Sequence, residues 1–154
     1  MRAAQRPAIV LVRPGIPQNV GAIARLCAAA KADLHIVRPI PFVLNDRSLE
    51  RAGMDYLDLV TIIVHNDWEA CRAALGARQL WAIETPAERT IYDAQLSPDD
   101  ALIFGSESHG LPDEIRQELS DRTLVIPMRE PKARSLNLAT SVAIALWEAL
   151  RPTA

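Results

Sequence analysis

The segment Ala101-Leu102-Ile103-Phe104-Gly105-Ser106-Glu107-Ser108-His109-Gly110-Leu111-Pro112 passes from a short apolar run, through a polar loop flanked by glycines, to a proline suited to the start of a helix. Read as strand, loop and helix, it predicts one β-loop-α unit whose strand end is where an α/β sheet binds ligands. Further runs share its character: Ala8 to Val12, Leu34 to Val37, Val60 to Val64, Gln79 to Ile83 and Thr123 to Ile126. They are almost continuously apolar rather than alternating, the pattern of strands covered on both faces. The expectation is an α/β fold, with a mostly parallel six-stranded sheet and helices on both sides of it.

Outward from that unit, the totals set limits. A chain of 154 residues, 49% of them hydrophobic, has the length and core of one domain spanning 1–154. Its longest apolar stretch, Leu136 to Leu150, is broken by Asn137, Thr140, Ser141 and Glu148, and falls short of the ~20 residues a membrane span needs. The run Ala8 to Val12 stops at Arg13 and Pro14, too short for a secretory signal, so a cytoplasmic protein with no membrane partner is expected. Cys27 and Cys71 have no metal-like spacing and suggest no disulfide scaffold; they read as small core residues, and no metal is expected. With 17 basic and 19 acidic residues the net charge is −2, which excludes general adhesion to nucleic acid and confines any RNA contact to a local patch.

Two helices frame the polar segments. Pro17 and Asn19 suit a helix start, and Ile23, Leu26, Cys27 and Ala30 then form one stripe, with Arg25 ~180° from its centre and facing away from the core. The last helix is expected from Ser135, as N-cap, to Leu150. Leu138, Val142, Ala145 and Ala149 make one stripe on it, while Leu136, Ala143, Ile144, Trp147 and Leu150 fill other faces. Such a helix needs cover on more than one side, and a second copy of the chain could supply it. Asn137 is an indifferent helix former and should have a hydrogen-bonding partner. His35 and His65, in or just after strands, read as structural.

The Gly105–Gly110 loop is not a phosphate cradle of the P-loop kind, because Leu111 and Pro112 stand where lysine and serine or threonine are required. It is not G-x-G-x-x-G either, which argues against a dinucleotide-dependent dehydrogenase. Alone, each polar segment has an ordinary structural explanation as a capped turn.

Together, N-x-G-A-I-A-R at 19–25, F-G-S-E-S-H-G-L at 104–111 and S-L-N-L-A-T-S-V-A-I-A at 135–145 resemble the three motifs of the SpoU (TrmH-like) ribose 2′-O-methyltransferases of the SPOUT class. The resemblance covers essentially the whole chain. Finer features, I-P-x-N-x-G-x-I-x-R-L-C at 16–27 and R-A-G-M-D-Y at Arg51 to Tyr56, look most like the branch that methylates the tRNA wobble nucleotide, a cytidine or uridine. The same chemistry on tRNA position 32 or on ribosomal RNA stays open, as does, in another class, a noncatalytic RNA-binding module.

The resemblance implies a C-terminal trefoil knot, a homodimer, and S-adenosylmethionine as methyl donor, leaving S-adenosylhomocysteine. Carried over position by position, it assigns the cofactor to Ile83, Gly105, Ile126, Ser135 and Leu136, and the catalytic set to Arg25, Asn19, Glu107, Ser135 and Asn137. A guanidinium stays protonated, so Arg25 is expected to clamp phosphate and stabilise the developing alkoxide rather than act as base. Arg13, Arg25, Arg129, Lys132 and Arg134 are the expected RNA contacts. Two positions depart from the family pattern: His109, which either titrates as a base or tunes RNA contact, and Glu84-Thr85-Pro86-Ala87-Glu88, which lacks the lysine or glycine of some relatives.

Overall fold

The computed structural model describes residues 6–51 and 57–153, so most of the Arg51 to Tyr56 stretch lies outside the described residues. The strands are β1 (Ala8–Val12), β2 (Asp33–Val37), β3 (Ile62–His65), β4 (Leu80–Ile83), β5 (Arg89–Thr90), β6 (Ala101–Phe104) and β7 (Thr123–Val125). They form one sheet in the order β3-β2-β1-β6-β4-β7-β5, parallel at every pairing. The sheet therefore has seven strands, not the expected six. The extra one, β5, is two polar residues at an edge, paired among the described residues only with β7, and no apolar run betrays it. A local turn fixes it, in which the Thr90 amide donates to Asp93 Oδ2 at 2.9 Å.

Side chains alternate between two cores, one on each face. Ile9, Leu11, Leu34, Ile36, Leu102, Phe104 and Leu124 point to the face covered by α1 (Pro17–Ala30), α2 (Asp46–Arg51) and α5 (Leu138–Leu150). Ala8, Val10, Val12, Ala82, Ala101 and Ile103 point to the other, beneath α3 (Trp68–Leu75) and α4 (Asp113–Glu118). Both faces being buried explains the unbroken apolar runs in the sequence.

Helix α1 opens with Pro17 in its first turn and ends at Lys31, which takes the left-handed conformation (φ 54°) and returns its amide to the last carbonyls. Its buried residues are Asn19, Val20, Gly21, Ile23, Ala24 and Cys27; Leu26 and Ala30, expected on the stripe, only flank it, and Arg25 is exposed. Helix α5 starts at Leu138, two residues later than a Ser135 N-cap would start it, because Asn137 and not Ser135 caps it: Asn137 Oδ1 accepts from the Thr140 amide at 3.1 Å. Val142, Ala145 and Ala149 are buried as expected, with Leu146 joining them. Trp147 remains 46% exposed on this helix. Cys27 and Cys71 are free and buried, and burial pushes both thiols up to about 12.

His35 and His65 meet across β2 and β3, with their rings nearly parallel and His35 Nδ1 2.9 Å from His65 Nε2. Cys71 brings a third donor within 4.8 Å, yet the two nitrogens are turned on one another and are satisfied as a hydrogen-bonded neutral pair. Burial first, and the neighbouring His65 second, push the His35 imidazole down to about 4; burial also lowers His65. A depressed folded-state value means that the unfolded chain binds more protons between 4 and 6.5. The pair's contribution is thus complete above 6.5 and is lost as the pH falls towards 4. Thermal unfolding followed across that range should report a loss of about 2 kcal/mol. In His35→Gln that part of the slope should disappear, and an unchanged slope would assign it to other groups.

Candidate active site

The carboxyl ends of β4, β6 and β7 open on a common cavity of about 490 Å³. Ile83, Glu84 and Thr85 wall it after β4, Phe104 to Gly110 after β6, and Ile126 and Met128 after β7. Arg134 to Leu138, running into α5, and Ile16 with Asn19, at the start of α1, complete it. Elements distant in sequence converge because the sheet is parallel and all its loops of this kind leave at one end.

A chain of hydrogen bonds links the three polar segments. The Glu107 carboxylate accepts from the Gly15 amide at 2.8 Å, the Ile16 amide at 3.1 Å and Asn19 Nδ2 at 3.0 Å. A carboxylate only accepts here, so Asn19 must turn its amide nitrogen to it and its oxygen the other way. That oxygen takes Asn137 Nδ2 at 3.2 Å, which leaves Asn137 Oδ1 free to cap α5. Asn137 thus has the partner its position demanded. Through these three bonds Glu107 orients the entry of α1.

The loop after β6 is a tight turn. Ser106 and Gly110 exchange backbone bonds of 3.1 and 3.0 Å, and the His109 amide donates to Ser106 Oγ at 3.0 Å. Gly110 has φ +67°, in the region that favours glycine. Gly105 is needed for a different reason: a Cβ there would overlap the Gly110 carbonyl and the Leu111 nitrogen. From the opposite wall, Glu84 Oε1 accepts from the Leu111 amide at 2.5 Å and lies 3.8 Å from Arg116 Nη2.

All five residues expected to hold the cofactor, Ile83, Gly105, Ile126, Ser135 and Leu136, line this one cavity, as do Asn19, Glu107 and Asn137. Arg25 does not; it lies on the exposed side of α1. Of the basic residues, Arg134 lines the cavity, and Arg13 lines a neighbouring one of about 590 Å³ together with His109 and Arg116. Arg129 and Lys132 are exposed on the loop before α5 and line neither. His109 sits on the wall of both, with Nδ1 2.8 Å from Ser108 Oγ. Glu84 was missed as a lining residue, although its place immediately after a parallel strand was a signal for it.

The fit to an adenosyl group can be judged from the walls. The volume suits a nucleoside-sized ligand, Ile83, Ile126, Leu136 and Leu138 supply apolar faces, and the missing side chain at Gly105 lets the Gly105–Gly110 turn close on itself at the cavity wall.

Comparison with known proteins gives a consistent result. The model of the SpoU rRNA Methylase family matches residues 6–147. The tRNA (cytidine(34)-2′-O)-methyltransferase of Methylovorus glucosotrophus (strain SIP3-4) is 44% identical over 144 residues, 93% of each chain. A solved structure described as giving insights into the 2-OH methylation of C/U34 on tRNA superposes with a TM-score of 0.90 at 39% identity, covering 98% of both chains. An AdoMet-bound rRNA methyltransferase from Sinorhizobium meliloti superposes with a TM-score of 0.83 at 28% identity, over 97% of this chain and 57% of its own.

Proposed function

The chain belongs to the SpoU rRNA methylase family, and on that premise we propose that it transfers a methyl group from S-adenosylmethionine to the ribose 2′-hydroxyl of the tRNA wobble nucleotide, a cytidine or uridine. The observation that carries this reading is the meeting of Ile83, Gly105, Ile126, Ser135 and Leu136 on one cavity of nucleoside size.

Bound there, S-adenosylmethionine supplies an electrophilic methyl on a sulfonium. The protein's contribution is position and field. Ile83, Ile126 and Leu136 hold the purine between apolar walls, and the Gly105–Gly110 turn offers backbone groups to its edge and ribose. The Glu107–Asn19–Asn137 chain fixes the entry of α1 against the start of α5, so that the RNA-facing and cofactor-facing elements keep one geometry. Arg25 stands six residues beyond Asn19, ~9 Å along the helix. From the exposed side of α1 it clamps a phosphate of the substrate and stabilises the alkoxide as the 2′-oxygen loses its proton. The phosphate oxygen it holds relays that proton to solvent water, and the thioether leaves as the sulfonium gives up its methyl. Arg13, Arg129, Lys132 and Arg134 extend the contact to the RNA backbone.

The reading includes one SPOUT domain over 1–154, active without a metal, and a trefoil knot in its C-terminal part. It is supported by the way β7 enters the sheet between β4 and β5, which are consecutive in the chain. A homodimer is supported by the 46% exposure of Trp147 and the 37% exposure of Leu136 at the final helix and its approach. No helix among the described residues is long and apolar enough to cross a membrane, which agrees with a cytoplasmic site of action.

Incubation of the protein with labelled S-adenosylmethionine and, in parallel, bulk tRNA and ribosomal RNA, followed by mass-spectrometric mapping, should place the label on the 2′-oxygen of tRNA nucleotide 34. Label at another tRNA position or on ribosomal RNA would move the substrate assignment, and no transfer to either RNA would leave a binding module.

A further inference from the structure

The residues after β4 are where this chain departs from the family pattern, and the structure shows what they do there. Glu84 stands at the carboxyl end of β4 on the wall of the 490 Å³ cavity, between Ile83 and Thr85. Its side chain is only 11% exposed. One carboxylate oxygen, Oε1, is occupied by the Leu111 amide at 2.5 Å, with Arg116 at 3.8 Å. The other, Oε2, has no hydrogen bond among the described residues. It lies over Gly110, where a Cβ would come within 3.2 Å of it, so the absence of a side chain keeps this oxygen uncovered. That oxygen is not sealed in the interior, and the 490 Å³ cavity that Glu84 lines is a space from which donors can reach it.

The charge of Glu84 is already offset by Arg116, whose guanidinium also donates to the Leu111 carbonyl at 3.0 Å. A neutral donor therefore matches the remaining oxygen better than a second cation does. The position itself, an acidic residue just past a parallel strand, is the one from which nucleotide-binding sheets take ribose hydroxyls.

We propose that Glu84 Oε2 accepts the ribose hydroxyls of the bound adenosyl group, while Oε1 holds the Leu111 amide, so that one carboxylate fastens the nucleoside and the Gly105–Gly110 turn to each other. This rests on the reading of the cavity as the S-adenosylmethionine site. It makes Glu84 a binding residue peculiar to sequences with an acid at this position.

The test is calorimetric titration of the wild-type protein and Glu84→Gln with three nucleosides: S-adenosylhomocysteine, 5′-methylthioadenosine, which lacks the amino acid, and 5′-methylthio-2′,3′-dideoxyadenosine, a deoxy compound that lacks both ribose hydroxyls. The first two should be weakened equally in the variant, by about tenfold, while the deoxy compound should bind both proteins alike. Equal weakening of the deoxy compound would mean that Glu84 only holds the turn and would overturn the proposal. So would a loss confined to S-adenosylhomocysteine, which would point to the amino-acid end, or no loss at all. If glutamine disturbs folding, Glu84→Asp, which retracts the same charge by one methylene, must show the same selectivity. A wild-type protein that binds none of the three overturns the cavity assignment together with this one, whereas wild-type binding unaffected by Glu84→Gln overturns this one alone.

Discussion

Replacing Arg25 by alanine is expected to lower methyl transfer by about a hundred- to a thousandfold while leaving the affinity for S-adenosylhomocysteine within about twofold of wild type. The separation follows from geometry. Arg25 is exposed on α1 and contributes nothing to the wall of the cavity in which Ile83, Gly105 and Ile126 meet. Its removal deletes a charge at the RNA side, where the 2′-oxygen gains negative character only as the transition state forms, so the loss should fall on kcat more than on cofactor binding. An exposed helical site also predicts a stability change of less than about 1 kcal/mol. Single-turnover assays beside calorimetry would check this, and a fall in cofactor affinity parallel to the fall in rate would remove Arg25 from the proposed role. Arg25→Lys should recover little, since one ammonium cannot reproduce a planar, two-pronged grip on phosphate.

The second large effect is expected from Gly105→Ala. The added methyl would overlap the Gly110 carbonyl and the Leu111 nitrogen, both backbone atoms of a turn pinned by its own hydrogen bonds and by Glu84. Nothing there is the flexible end of a side chain, so the turn itself has to open. Loss of S-adenosylhomocysteine binding by more than about a hundredfold and destabilisation of about 2–4 kcal/mol should follow. Gly76→Ala is the matched control. Gly76 has φ +62° but nothing within 4 Å of a would-be Cβ, so it should cost about 1 kcal/mol of backbone strain and leave ligand binding intact. Equal losses in the two variants would mean that glycine's conformational freedom, not close approach, is what Gly105 provides.

The legible and illegible parts of this molecule divide along physical lines. Strands such as Ala8–Val12 and Ala101–Phe104 could be read because burial on both faces leaves an unbroken apolar run. Arg89–Thr90 could not, since two polar residues become a strand only by virtue of the neighbour that β7 provides. The motif residues could be named from resemblance, but their division of labour could not. Glu107 is matched to a catalytic position, yet its carboxylate is committed to the Gly15 and Ile16 amides and Asn19. Ser135 and Asn137 are both good N-caps by residue type, and Asn137 takes the role because its amide also reaches Asn19 across 118 positions of sequence. No local pattern carries such a contact. Glu84 marks the same boundary from the other side, a visible carboxylate whose partners, Leu111 and Arg116, come from another loop.

The placement of β7 between β4 and β5 also sets an order of events during synthesis. Among the described residues β5 pairs with no strand other than β7, so Arg89 and Thr90 leave the ribosome well before the segment that makes them part of a sheet. Ile126, Ser135 and Leu136, which close the cavity, come later still. A nascent chain halted near residue 118 would carry β4 with one side unpaired and half a binding site, a sticky and inactive intermediate. Ligand cannot stabilise it, because ligand has nowhere to sit until the C-terminal third is in place. For this protein, completion of the fold and acquisition of activity are one step, and it is the last.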